Sequence, residues 1–66
     1  MLYQFWRHGR SGEVYAVQCT EDGEVLGVCG PLHYSEVRVE LLDAMDYSTE
    51  DVEWMRDHQD EFVLVE

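Results

Sequence analysis

The chain has 66 residues, 45% of them apolar, and fifteen acids face four bases for a formal net charge of −11. A chain this short buries only ~60% of the surface its unfolded form exposes, so residues 1–66 are read as one domain with a lean core. Direct nucleic-acid binding is excluded as the expected role, because that affinity comes mainly from neutralising phosphates with Lys and Arg. No segment nears the ~18 consecutive apolar residues of a membrane span.

Three strands open the chain. Residues 2–8, LYQFWRH, are aromatic and β-prone, and Gly9-Arg10-Ser11-Gly12 reads as a turn. Residues 13–20, EVYAVQCT, are β-branched and partly alternating. Asp22-Gly23 is a type I′ hairpin signal, residues 24–29 (EVLGVC) give the third strand, and Gly30-Pro31 is expected to end it.

A two-residue turn at Asp22-Gly23 sets the register. Glu21 faces Glu24, Cys19 faces Leu26 and Val17 faces Val28, while the first turn puts Trp6 opposite Tyr15 and Gln4 opposite Val17. One face then carries Leu2, Trp6, Tyr15, Val17, Cys19, Leu26 and Val28 as the core. The other carries Tyr3, Phe5, Val14, Ala16, Val25 and Cys29, too apolar for a solvated face. Cys19 and Cys29 fall on opposite faces, so two free thiols are expected.

The second half reads as helical twice. Residues 36–45 would present Val37, Leu41, Ala44 and Met45 to the core, although Val37, Val39 and Leu41 also alternate as in a strand. Ser48 caps a later helix, with acids in its first turn and Val52, Met55, Gln59 and Phe62 on one stripe. Tyr34-Ser35 repeats the Tyr47-Ser48 arrangement. Residues 62–65, FVLV, read as a fourth strand. The expected fold is α+β in the order β-β-β-α-α-β, a small antiparallel sheet of three to four strands with two helices packed on one face.

Charge is uneven. Residues 1–35 hold four acids and two arginines, net −2, and residues 36–66 hold eleven acids and two arginines, net −9. If both helices form, Glu36, Glu40 and Asp43 make one stripe, and Glu50, Glu53 and Asp57 help make another. Carboxylates one turn apart lie ~6 Å apart along a helix axis, comparable to phosphates along a nucleic-acid strand. Such a face could occupy a basic groove on a partner protein; the plain alternative is a solvated helix surface. Lysine, asparagine and isoleucine are absent, which suits a GC-rich genome or salt adaptation. Self-repulsion of the acids destabilises a compact chain, and molar salt screens it.

Other constellations are thinner. Arg7-His8-Gly9-Arg10 is the one local positive cluster, read as an ordinary turn or as an anion-binding or docking point. Cys29-x-x-x-His33 is a single pair where structural zinc needs four ligands, so no metal or cofactor is expected. Cys29 could serve a thiol enzyme only if a cation or helix N-terminus lowered its pKa. Trp54 falls on the outer side of the later helix, as an interface anchor or the sign of a sandwiched helix.

The leading expectation is therefore a cytoplasmic, non-catalytic interaction or regulatory domain. It is expected to be homodimeric through Tyr3, Phe5, Ala16, Val25 and Trp54. A polyanionic inhibitor of a basic protein and a small Cys29 enzyme are the alternatives.

Overall fold

A computed structural model describes residues 1–65. Its sheet has four antiparallel strands, β1 (Leu2–His8), β2 (Val14–Cys19), β3 (Val25–Leu32) and β4 (Phe62–Val65), in the order β3-β2-β1-β4. Between β3 and β4 run two 3₁₀ segments, Tyr34–Glu36 and Val39–Ala44, then helix α1 (Val52–Asp57) and a 3₁₀ turn, Gln59–Glu61.

The β1–β2 register is the one read from the first turn, with Trp6 opposite Tyr15 and Gln4 opposite Val17. The β2–β3 hairpin differs. Gly23 N–H donates to the Thr20 carbonyl and Thr20 N–H to the Glu24 carbonyl, both at 2.9 Å. Only Gly23 of the tip takes a positive φ, 88°. This is a three-residue loop closed by a left-handed glycine, not a type I′ turn, which needs two positive φ values. Cys19 therefore faces Val25 instead of Leu26. A bulge between Gln18 and Cys19 then restores Val17 opposite Val28. Two one-residue differences cancel, and between them they move Val25 into the core.

Strand β3 also runs past Pro31. Val14 pairs with Leu32 across an irregularity that begins after Ala16–Cys29. Proline is tolerated there because β3 is an outer strand and the ladder is already broken.

The core lies on the face that carries Trp6, Val17, Cys19, Val25 and Val28, closed by fully buried Met55 of α1. Tyr15, Val52 and Phe62 pack around it. The opposite face carries the row Phe5–Ala16–Cys29 and is covered by the chain itself. Tyr47 meets Tyr3 with ring centroids 5.4 Å apart, and Leu41, Ala44 and Met45 line a cleft beside Cys29. Phe5 and Ala16 are buried as a result. The chain thus crosses one face, turns around the edge of β3 where Ser48 and Val28 exchange both backbone hydrogen bonds, and lays α1 on the other. The expected pair of helices on one face is corrected to one cover on each face.

The 36–45 region is not an α-helix. Val37 N–H donates to the Tyr34 carbonyl and Leu41 N–H to the Arg38 carbonyl, both three-residue spacings. Val37 and Arg38 are non-helical between the two segments. Valines at 37 and 39 lower helix propensity, and a 3₁₀ path rises ~2.0 Å per residue against 1.5 Å, so fewer residues span the sheet. The first turn closes early, with His33 N–H donating to the Glu36 carboxylate at 2.9 Å. The N-cap of α1 is Asp51, not Ser48; Ser48 Oγ accepts from Glu50 N–H at 3.1 Å in the turn before the helix, while its backbone pairs with Val28.

Candidate functional site

The acids read as an interaction face are divided by the sheet. Glu36, Glu40 and Asp43 belong to the 3₁₀ cover on one side. Glu40 and Asp43, three residues apart, still share a flank, since side chains at that spacing eclipse in a 3₁₀ helix. Glu53 and Asp57 lie one turn apart on α1, with Glu50 just before it. All six are exposed, but as two patches, and the helical spacing assumed for the first patch is absent. Among the described residues, only Glu24 and Glu61 pair with a basic side chain.

The residues expected at a dimer interface are mostly internal. Phe5, Ala16 and Val25 are buried within the single chain, and Tyr3 is half-buried against Tyr47. The apolar second face no longer calls for a second copy, because residues 34–47 cover it. Trp54 alone of the five is exposed, at 39%.

Trp54 belongs to an aromatic cluster that joins β1, β2, α1 and β4. Its indole stacks on His58 at 4.6 Å between centroids, meets Phe62 edge-on at 5.8 Å, and lies 6.4 Å from Tyr15 and 5.7 Å from His8. His58 Nδ1 also lies 2.8 Å from the Trp54 carbonyl, which ties the imidazole to the end of α1.

His8 anchors the other end of this cluster; the sequence places it in the positive turn Arg7–Arg10 but gives no sign of its partner. The residue is 9% exposed, with Nε2 2.8 Å from Glu61 Oε1 and Nδ1 3.1 Å from Ser11 Oγ. An ionised carboxylate can only accept, so Nε2 carries the proton and, in the neutral ring, Nδ1 accepts from the Ser11 hydroxyl. Ser11 Oγ in turn accepts from Glu13 N–H at 3.2 Å. The hydrogen bond from His8, with Arg10 nearby at 3.6 Å, holds the Glu61 carboxyl below the usual carboxylate range. This hydroxyl–imidazole–carboxylate chain ties the β1–β2 turn to the start of β4. Glu61 also lies 3.6 Å from Arg10, whose side chain stays largely exposed.

Cys29 sits by a cleft of about 270 Å³ with Glu36, Leu41, Ala44, Met45 and Asp46. Burial first, then the Glu36 and Asp46 carboxylates, push its thiol up, the reverse of an activated nucleophile. His33 is engaged elsewhere, with Nδ1 2.9 Å from Ser35 Oγ and its ring against Tyr34. Both cysteines are free thiols, with Cys19 in the core. Among the described residues no cluster of three His, Cys, Asp or Glu side chains is arranged to hold a metal ion. No helix among them is long and apolar enough to cross a membrane.

A second cleft, of about 210 Å³, opens between Tyr15, Pro31, Asp51 and Trp54. Comparison with protein-family models, curated proteins and solved structures finds no match.

Proposed function

We propose that this chain is a non-catalytic interaction domain that engages a basic partner protein through the α1 side of its surface. One observation carries the reading: the acids of this side, Glu50, Asp51, Glu53 and Asp57, are exposed without a basic partner among the described residues, around the exposed indole of Trp54. Exposed carboxylates without counter-charges repel one another and attract a cationic surface. An aromatic side chain among them supplies apolar contact area at the same place.

A polyanionic inhibitor is the special case in which the partner's groove normally holds nucleic acid. A thiol enzyme is disfavoured by the raised pKa of Cys29. A cytoplasmic setting suits two free thiols.

Titration with an arginine-rich peptide across a salt series, beside urea unfolding of the free domain in the same salts, tests the proposal. Rising salt is expected to weaken binding and strengthen the fold, because screening acts on attraction between molecules and repulsion within one. Binding indifferent to salt would remove the proposal.

A further inference from the structure

Resting on that reading, we infer that the cleft between Tyr15, Pro31, Asp51 and Trp54 receives a single arginine side chain of the basic partner. Its walls come from three elements: Tyr15 from β2, Pro31 from the end of β3, and Asp51 and Trp54 from the start of α1. The Tyr15 and Trp54 rings are inclined at 45° with centroids 6.4 Å apart. A cation seated in the cleft against the open side of either ring comes within the ~6 Å at which a ring face attracts it.

Asp51 supplies the counter-charge. Its carboxylate makes no capping hydrogen bond to α1 and pairs with no described basic side chain. Its negative charge already bears on the cleft: burial, then Glu13 and Asp51, raise the pKa of the Tyr15 hydroxyl.

Size limits the occupant. At about 210 Å³ the cleft falls below the ~300–1,000 Å³ of sites for drug-sized ligands, which leaves room for one side-chain head group. Arginine matches better than lysine, because a planar guanidinium stacks on an aromatic face while offering two parallel N–H donors to a carboxylate. The indole wall is already held in place by His58 and Phe62, so little ordering cost falls on binding.

The test is heteronuclear NMR of the full chain with three probes: N-acetylarginine amide, N-acetyllysine amide and an arginine-rich peptide. The arginine amide is expected to shift the Trp54 indole N–H saturably and to leave Trp6 unmoved, with the lysine amide weaker. Asp51→Asn and Trp54→Leu are each expected to weaken the peptide roughly two- to fivefold, the range of one exposed cation–π or charge contact. Asparagine caps a helix as well as aspartate does, so the Asp51 variant remains informative if loss of Trp54 disturbs folding. Undiminished peptide affinity in Asp51→Asn, with no shift at Trp54, overturns this inference and leaves the acidic-surface reading standing. Absence of peptide binding at low salt overturns both.

Discussion

Arg56 reaches from α1 to the Val25 carbonyl, with Nη2 at 2.7 Å and Nε at 3.1 Å, while Nη2 also lies 3.1 Å from the Glu24 carboxylate. One guanidinium thus ties α1 to the first residue of β3, beside the hairpin tip. A planar fork suits this double contact, and an ammonium does not reproduce it. Arg56→Ala is expected to cost about 1–2 kcal/mol, because the carbonyl loses a charged donor. Arg56→Lys should recover only part of that. Urea unfolding of the three proteins reads the difference.

Glu61 gives the fold an acid-sensitive tie. Its carboxyl titrates below the ordinary value because the charged form accepts from His8. The sign follows from linkage: a folded-state pKa below the unfolded one adds stability above the ordinary carboxylate value, and that stability is lost as pH falls below it. Acid also relieves repulsion among the other carboxylates, an effect shared by any variant at this site. Subtraction of Glu61→Gln isolates the local contribution. The stability advantage of the parent over the variant is expected to shrink as pH drops through and below the carboxylate range.

Tyr47 has the opposite dependence. Burial first, then the neighbourhood of Cys29, Tyr3 and Asp43, push its phenol up to about 12, while its hydroxyl donates to the Leu42 carbonyl. A phenol harder to ionise when folded contributes stability that is complete below the unfolded value near ~10 and fades as pH climbs toward the folded one. The parent is expected to lose stability through that alkaline window. Tyr47→Phe should start less stable and lose less. Unfolding followed at stepped pH, with tyrosinate absorbance as a second signal, checks this.

Gly30 occupies a backbone conformation, φ 147°, that side chains rarely adopt. A Cβ there would stand 2.8 Å from Tyr15 Cδ2 and 3.2 Å from Tyr15 Cα. The second contact is to backbone, which cannot swing aside. Gly30→Ala is expected to destabilise by about 1–3 kcal/mol and to displace the Tyr15 wall of the cleft. Thermal unfolding together with the Tyr15 ring resonances reports both effects.

Local chemistry made much of the sheet legible. Aromatic and β-branched runs marked β1, β2 and β4, and alternation put Cys19 and Cys29 on opposite faces. The Asp22-Gly23 signal located the hairpin but not its loop length, because the same dipeptide serves a two-residue turn or a three-residue loop with Gly23 left-handed. That single residue decided whether Val25 or Leu26 entered the core. Residues 36–45 read as a helix because leucines, alanine and glutamate favour one, but the chain here stretches across a sheet face in two 3₁₀ segments, Tyr34–Glu36 and Val39–Ala44. Sites built from distant residues left no local trace. His8 and Glu61 are 53 positions apart, and the cleft joins Tyr15, Pro31, Asp51 and Trp54 from three elements. The exposed apolar position of Trp54 was the one visible pointer, since a tryptophan outside the helix stripe needs a partner.

Two triple substitutions of equal charge decide between a specific α1 face and a diffuse polyanion. One is Glu50→Gln, Glu53→Gln, Asp57→Asn; the other is Glu36→Gln, Glu40→Gln, Asp43→Asn. Calorimetric titration of each with the same arginine-rich peptide at low salt is expected to show the first weakened about tenfold more than the second, because close charge pairs at a defined interface outweigh distant ones. Equal weakening by the two would contradict an α1-centred binding face.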